Sequence, residues 1–413
     1  FSTICRISEE AFKRPGPLRY TVEDIPMEMC THLVFGGFLW TTKTGELAIN
    51  YPGDHITSQC VVNDLRKKFP HLKTILEYGQ LYNGASFARL IGSEAIRERF
   101  VKSALERLRR HHFDGFNVFW DAYDSADVTP DAKSNLILLL KRTLPTLNLS
   151  LAGASINTEE TLLHFTDFKH FIRAHIIPAT SRLVDHFQVF TALLRRSVPG
   201  RTAIHSQLFP SSRDEGRRQL NIDSIIRMCE EAGIPKHKTA VTLSFAGRLF
   251  MLLDIHKTEV SDPTNSKYDN ETVATLPFFQ VHYKPIILTQ ICRNQLLNGW
   301  SKEWDGATTS PYTFSNLSWV SYDDRRSLQA KVDWAILQNL AGVFVWSVDQ
   351  DDYRANCHDH PYPLMTAIYN VTKGIKPRPV VPERECKECK QWDVLDCKGH
   401  NCSYHFYETE CSR

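Results

Sequence analysis

The sequence predicts an α/β fold, a (β/α)8 TIM barrel with a small α+β insertion between the seventh and eighth strands. Three observations support this: eight short apolar runs rich in β-forming residues, amphipathic helical stretches between them, and one gap far longer than the others. Near-continuous apolar strands that alternate with helices are typical of a parallel sheet covered on its outer side. The runs are residues 2–7, 31–40, 73–79, 113–120, 149–155, 184–194, 238–245 and 340–348.

The connections between these runs define the predicted organisation. SEAIRERFVKSALERLRRHH, after the third run, places its apolar residues on one helical face. The long gap, about residues 254–325, contains strand-like runs and a short helical one, and we expect it to form the insertion. The barrel then covers residues 1–375, a Pro-rich linker residues 376–385, and a cysteine-rich tail residues 386–413.

Composition argues against several classes of function. The chain has 413 residues, 42% of them hydrophobic, and a net charge of +2. This balance does not indicate nucleic-acid binding, and no apolar run reaches the roughly 20 residues that span a bilayer. The segments KRPGPLR and RLRRHH are basic; we interpret them as solvated surface, with a contact to an acidic glycan as the alternative. No nucleotide-binding, zinc-protease or serine-hydrolase motif occurs, and we expect no cofactor and no metal.

The cysteine and sequon content predicts a secreted, extracellular glycoprotein. Eleven cysteines indicate an oxidising compartment, and a chain that starts at Phe1 is explained by a removed signal peptide. Five N-x-S/T sequons agree with secretion. The predicted N-glycosylation sites are Asn148, Asn270, Asn316, Asn370 and Asn401.

The tail is too short to bury a core and needs cross-links. In a secreted chain we expect disulfides there rather than a zinc site with His400 and His405. Its cysteines are odd in number, so one is free, pairs with Cys60 or Cys229, or bridges to another chain as a disulfide-linked oligomer or a partner attachment. Otherwise Cys60 and Cys229 are expected to be buried thiols. The tail cysteines are Cys386, Cys389, Cys397, Cys402 and Cys411.

The fourth strand carries the candidate chemistry, because barrel active sites lie at the C-terminal ends of the strands. Side chains alternate along a strand, so Asn117, Phe119 and Asp121 share the face that points into the barrel. Three acids at this spacing would form a proton-handling set, since close carboxylates push their pKa values apart. The set here has only one acid.

The stretch FDGFNVFWD resembles the F-D-G-x-D-x-D-x-E motif of chitinases and chitinase-like proteins of glycoside hydrolase family 18. Asp114 and its two neighbours match, whereas Asn117, Phe119 and Asp121 replace Asp, Asp and Glu. The resemblance covers roughly residues 1–373 and includes CTHLVFGGF, SFAGRLF, PIILTQIC and the long segment from WVSYDDRR to VWSVDQDDY. It implies the barrel, the insertion and, in catalytic members, hydrolysis assisted by the substrate's own N-acetyl group.

The resemblance also implies that the catalytic positions are degenerate. Asp121 stands at the catalytic acid but is one methylene shorter, and Phe119 stands at the Asp that steadies the acetamide. On the sixth strand, Ala192 and Leu193 replace the Tyr–Asp pair that holds the acetamide and sugar hydroxyls. We therefore predict that the protein is not an active chitinase.

One sugar-binding residue of the family is retained. Trp346 matches the Trp that floors the central sugar subsite, with barrel packing as its alternative role. Other aromatic positions have changed, to Arg6 and Ile7 on the first strand and to Leu81 after the third.

The predicted function is a secreted, non-catalytic chitinase-like protein that acts by binding. Its ligand is either chitin or a GlcNAc oligosaccharide, held at Trp346 and Asp121, or a protein partner. One alternative is a structural or growth-factor-like protein that assembles through its tail without binding sugar. Another is a weak glycoside hydrolase that uses Asp121, for which a pair with His205 across the barrel mouth is one arrangement.

Six further residues are assigned structural roles. We interpret His111 and His112 as a surface helix end. The family resemblance implies two disulfides, Cys5–Cys30 and Cys292–Cys357.

Overall fold

The computed structural model describes most of the barrel and the second sheet. The described residues are 1–16, 19–49, 59–80, 84–120, 131, 134–135, 138–139, 148–152, 184–192, 200–213, 221–265 and 286–374. The linker and the tail lie outside these residues, so the predicted domain division stays a prediction.

Eight parallel strands form a closed ring, and each lies within or overlaps one of the eight predicted runs. Around the ring each strand pairs with the next, and the last pairs with β1. A short antiparallel strand, β3 (Leu47–Ile49), extends the edge of β2. The predicted parallel barrel is therefore confirmed. In ring order the strands are β1 (Ser2–Ser8), β2 (His32–Thr41), β4 (Lys73–Gln80), β5 (Gly115–Trp120), β6 (Asn148–Ala152), β7 (His186–Val189), β8 (Thr239–Ser244) and β14 (Gly342–Trp346).

Helices cover the outer face of the barrel where the chain is described. The longest, α4, packs Phe100, Val101, Ala104 and Leu108 against the barrel, on the face that the sequence predicted. It ends at His111, and the next residue, His112, has the left-handed conformation. His112 is exposed, as predicted for a surface helix end, whereas His111 is half-buried. The helices are α1 (Glu9–Phe12), α2 (Gln59–Lys68), α3 (Gly84–Gly92), α4 (Glu94–His111), α5 (Ile222–Glu231), α6 (Leu288–Leu297), α7 (Arg325–Leu337) and α8 (Pro363–Thr372).

A second, antiparallel sheet lies between β8 and β14. The chain enters it only one residue after β8 ends, and the α+β unit is completed by α6. The SFAGRLF segment, whose first two residues end the seventh predicted run, therefore belongs mostly to this sheet. In sheet order its strands are β10 (Ile286–Ile287), β9 (Ala246–Met251), β13 (Ser318–Ser321), β12 (Ser310–Ser315) and β11 (Glu303–Asp305).

Both predicted disulfides are present. Cys5–Cys30 ties β1 to the segment before β2, and Cys292–Cys357 ties α6 to the loop after β14. Cys229 is a buried thiol on α5, as predicted, and burial raises its pKa to about 12. The side chain of Cys60 and the tail cysteines lie outside the described residues.

Two of the five predicted sequon asparagines have described, exposed side chains. Asn316 lies in the tight turn between β12 and β13 with a φ of 52°, and Asn370 lies on α8. Asn148 begins β6 but its side chain is not described, and Asn270 and Asn401 fall outside the described residues. In the part of the chain that the structure covers, no helix has the length and hydropathy required to cross a bilayer.

Candidate functional site

The barrel mouth is lined by a cluster of apolar side chains at the C-terminal ends of β5, β7 and β14. Phe119 is fully buried, with its ring centroid 6.1 Å from Phe190 and 5.2 Å from Trp346. Phe190 meets Trp346 edge to face at 5.3 Å, a favourable aromatic geometry. Ala192 completes the cluster. We call these four residues the aromatic layer. Two of them, Phe119 and Ala192, stand at the predicted acetamide-binding positions, and both side chains are hydrocarbon.

A buried polar network lies beneath the aromatic layer. Arg6 Nε donates to Glu77 Oε1 at 2.9 Å, with both side chains at most 6% exposed. Asn117 Nδ2 donates to Glu77 Oε2 at 2.8 Å and to Gln188 Oε1 at 3.1 Å. These four residues, the polar layer, come from β1, β4, β5 and β7. Their charges balance, since the network contains one guanidinium and one carboxylate.

Strand register fixes the depth of the polar layer. In the register of β4 and β5, Glu77 pairs with Asn117. Gly79 pairs with Phe119 two residues further along both strands, closer to the barrel mouth. The next inward layer, deeper still, is apolar and consists of Ile4, Val34, Ile75, Ala240 and Phe344. The charges are therefore enclosed between two hydrophobic layers, which strengthens their mutual attraction and raises the cost of breaking the pair.

Arg6 links the polar layer to the aromatic layer. Its Cζ lies 4.0 Å from the centroid of the Trp346 ring, a cation–π contact. Glu77, which holds the guanidinium, lies deeper in the barrel than Phe119. The guanidinium therefore supports the side of the indole that faces the barrel interior. Trp346 is half-buried, whereas the other members of the aromatic layer are buried. The indole is thus the part of this layer that keeps exposed surface.

The space for Arg6 depends on a glycine of the neighbouring strand. A Cβ at Gly36 would overlap the Arg6 guanidinium. Gly36 is not among the residues with positive φ, so its backbone conformation does not itself require glycine. Glycine is required at this position because a side chain would occupy the space of the Arg6 guanidinium.

The residues that the sequence predicted as the degenerate catalytic site do not all lie at the barrel mouth. Asn117 and Phe119 point into the barrel as predicted, and Ala192 joins Phe119 at the mouth. Asp114 lies at the opposite end of β5, where its Oδ2 accepts hydrogen bonds from the N–H and hydroxyl of Thr74. Asp121 and Leu193 lie outside the described residues.

His205 faces the second sheet. It is buried, and its Nδ1 lies 2.7 Å from Ser321 Oγ on β13. The pKa of His205 is lowered to about 4, mainly by burial and to a smaller extent by Lys331, against an opposing effect of Asp323. Lys331 and Asp323 form a buried ion pair beside it, at 2.5 Å. These contacts assign His205 a role in the junction between barrel and sheet, whereas Asp121, the other member of the predicted pair, lies outside the described residues.

The loop after β14 contains a second group of polar side chains. Cys292, Asp352, Cys357 and His358 have ligand-type atoms within 4.8 Å of one another. The two sulfur atoms are joined to each other, however, and Asp352 already accepts hydrogen bonds from His358 and three backbone N–H groups. Burial opposes ionisation of Asp352, but these hydrogen bonds outweigh it and lower the pKa to about 2. The group is a loop anchor rather than a metal centre.

Comparison with known proteins identifies the architecture. The profile of "Glycosyl hydrolases family 18" matches residues 3–351. The endochitinase of Manduca sexta is 26% identical over 373 residues, which cover 86% of this chain and 64% of that protein. Chitinase-3-like protein 2 of Homo sapiens is 24% identical over 387 residues, covering 89% of this chain and 92% of that protein.

Solved structures share the same fold. An immunomodulatory active chitinase from Trichuris suis matches with a TM-score of 0.78 at 22% identity, over 90% of this chain and 100% of that one. Human YKL-39, described as a pseudo-chitinase with retained chitooligosaccharide binding properties, matches with a TM-score of 0.75 at 22% identity, over 91% of this chain and 100% of that one. The relatives thus include both catalytic and non-catalytic proteins.

Proposed function

Because the chain belongs to glycosyl hydrolases family 18, we propose that it is a non-catalytic, chitinase-like member that acts by binding. The observation that carries this proposal is Phe119, which stands at the family's assisting Asp and is 0% exposed. A phenyl ring packed against Phe190 and Trp346 can neither accept an acetamide N–H nor stabilise a developing positive charge. The contribution of Asp121 to this proposal rests on the sequence alone.

The polar layer also supports the loss of catalysis. Glu77 is the carboxylate of the polar layer, and it is 0% exposed. Both of its oxygens are occupied, one by Arg6 and one by Asn117. A general acid must reach the proton acceptor of its substrate, and this carboxylate is enclosed.

Hydrolysis of a fluorogenic chitobioside tests the proposal. We expect no turnover by the wild-type protein. Turnover that is abolished by Asp121→Asn would contradict the proposal and favour a weak hydrolase built on Asp121. The combined variant F119D/D121E/A192Y/L193D restores the family's residues at these four positions and tests whether their loss suffices to explain inactivity. A folded but inactive variant would place part of the cause in the polar layer, where Asn117 still replaces a family Asp.

A chitooligosaccharide is the ligand that the site favours. Trp346 keeps exposed surface within an otherwise buried aromatic layer, and its inner side is supported by Arg6. Titration with GlcNAc tetramer should show binding that weakens at least tenfold in Trp346→Ala. The matched control is Trp304→Ala, which removes a half-buried indole of the second sheet that also stacks on an arginine. Equal loss in both variants would contradict binding at Trp346.

A protein-partner or structural role is the alternative, with residues 386–413 as the assembling segment. A protein that ignores chitin beads but runs as a disulfide-linked oligomer on a non-reducing gel would favour this alternative.

Secretion and glycosylation are part of the proposal. Expression through a secretory pathway should attach glycans at the exposed Asn316 and Asn370, detected as a mass loss in each Asn→Gln variant. Unglycosylated protein in the medium would contradict these sites.

A further inference from the structure

A group of exposed apolar side chains lies at the tip of the second sheet, beside the turn between β12 and β13. Leu317 belongs to that turn, and its carbonyl accepts a hydrogen bond from the N–H of Leu252, just after β9, at 2.7 Å. The chain that leaves β9 then presents Leu253 and Ile255. The exposed fractions are 40% for Leu317, 62% for Leu253 and 53% for Ile255. We call these three residues the tip patch.

The strand register brings Asn316 to the tip patch. Single exposed apolar residues are ordinary on a protein surface, whereas a group of large ones is typical of a surface that is covered. In the antiparallel ladder of β13 and β9, Ser318 pairs with Met251. The hydrogen bond between the next two residues continues this register, so Asn316 stands across from Leu253. A group attached to Asn316 therefore begins beside the patch.

Asn316 is a predicted attachment site for such a group. It is exposed and begins the sequon Asn-Leu-Ser. It forms the two-residue turn with Leu317 at a φ of 52°, a conformation that asparagine tolerates better than most residues. An N-glycan is bulky and solubilising and stays at the surface. The turn thus combines a tight hairpin with an asparagine that can carry a sugar next to Leu317.

The surroundings of the tip patch match the two kinds of surface on a pyranose ring. The C–H faces of GlcNAc are apolar and are stabilised when they leave water against hydrocarbon side chains. Its hydroxyl and acetamide groups need water or polar neighbours, and exposed His256 and Lys257 lie at the edge of the patch, in a turn closed by Lys257 N–H to the carbonyl of Asp254 at 3.1 Å. Because the sugar is tethered to a neighbouring residue, its local concentration is high and weak contacts suffice.

We propose that the N-glycan of Asn316 is a structural cover, whose first GlcNAc packs on Leu317 and Leu253 and shields the tip patch from water and from other protein molecules. The inference rests on the glycosylation that forms part of the proposed function. It gives this sugar an intramolecular contact, so the sugar becomes part of the folded surface. A second copy of the chain is the competing occupant of the tip patch.

Dye binding and self-association of the full chain, secreted from eukaryotic cells, test the proposal. Ser318→Ala removes the sequon but keeps Asn316 and the whole tip patch. We expect this variant to give at least about threefold more bis-ANS fluorescence than wild type, and to form concentration-dependent oligomers in analytical ultracentrifugation. The matched control Thr372→Ala removes the sequon of the exposed Asn370 on α8 and should stay within about 1.5-fold of wild type.

Two further measurements identify the contact. The variant L253S/I255S/L317S/S318A should return dye binding to the wild-type level, because it has neither the cover nor the apolar surface beneath it. Trimming the wild-type glycans with an endoglycosidase that leaves one GlcNAc should keep dye binding within about twofold of the untrimmed protein, since the first sugar forms the cover.

Several outcomes would overturn the inference. These are equal dye binding by wild type and S318A, an equal increase in T372A, an increase that persists in the quadruple variant, and a trimmed protein that behaves like S318A. A wild-type dimer that L253S/I255S/L317S abolishes would assign the tip patch to a second copy instead.

Peptide mass spectrometry of the wild type separates this inference from the proposed function. An unoccupied Asn316 would contradict both the cover and the glycosylation proposed at this residue. An occupied Asn316 without the expected effects would contradict the cover alone. Chitobioside hydrolysis and GlcNAc tetramer binding do not enter these measurements.

Discussion

The Arg6–Glu77 pair should be one of the most sensitive points of the fold. Replacing Arg6 by Met keeps most of the side-chain volume but removes the guanidinium that is bound to Glu77 and stacked on Trp346. Glu77 is then a buried carboxylate with Asn117 as its remaining partner. Removing one member of a buried ion pair costs about 3–5 kcal/mol, a large part of the 5–15 kcal/mol that stabilises a typical protein. We expect the midpoint of thermal unfolding to fall by roughly 5–10 °C.

A double-mutant cycle separates the pair from simple packing. Arg6→Met and Glu77→Gln should each destabilise, whereas the combined variant should recover about 2 kcal/mol or more, because neither charge is then left alone. Unfolding in urea at pH 7 provides the free energies.

The control is Arg326→Met, which removes a guanidinium 3.7 Å from the ring of Trp304 on the second sheet. A half-exposed cation–π contact contributes about 0.5–1 kcal/mol, so this variant should lose far less. If Arg6→Met costs less than about 1 kcal/mol, or if the two single effects simply add, the polar layer does not stabilise the barrel as argued.

Three further predictions concern Gly36, His205 and the disulfide Cys5–Cys30. Gly36→Ala should destabilise by about 1–3 kcal/mol in urea unfolding because its Cβ overlaps the Arg6 guanidinium, but should be neutral or stabilising when Arg6 is Met; an equal cost in both backgrounds would contradict this. The pKa of His205 is lowered to about 4 in the folded state, so stability should be lost as the pH falls from about 6.5 to 4, by about 3 kcal/mol; His205→Gln should flatten that part of the pH–stability curve, and an unchanged slope would exclude this residue. Replacing Cys5 and Cys30 together by Ser opens a loop with a sequence separation of 25 residues and should cost about 3 kcal/mol in urea unfolding, which a loss under about 1 kcal/mol would refute.

Much of the barrel follows from local sequence pattern. Each parallel strand is buried on both sides, so it appears as a short apolar run, and all eight runs contain a strand. The alternation of side chains placed Phe119 and Asn117 inside the barrel before any contact was known. The disulfides came instead from family resemblance, because spacing alone does not determine which cysteines pair.

The polar layer was not predicted, because its members are distant in sequence. Arg6 and Glu77 are 71 residues apart, and Asn117 and Gln188 are again 71 apart. A signal was nevertheless present: two strand runs have one charge of opposite sign each in their interior, Arg6 in STICRI and Glu77 in KTILEYG, whose other charge, Lys73, stands at its first position. Charges are almost never fully buried unless they are paired, so a lone cation and a lone anion in two core strands indicate a pair. The position of His205 against Ser321 could not be predicted, since it depends on how the second sheet packs on the barrel.

The absent side chain of Gly36 bears on how the interior can change by mutation. Arg6 needs Gly36 for space and Glu77 for its charge, so the three residues are tolerated together more readily than one at a time. A single substitution at any of them passes through a less stable intermediate. Sequence change at these three positions is therefore expected to be concerted rather than stepwise.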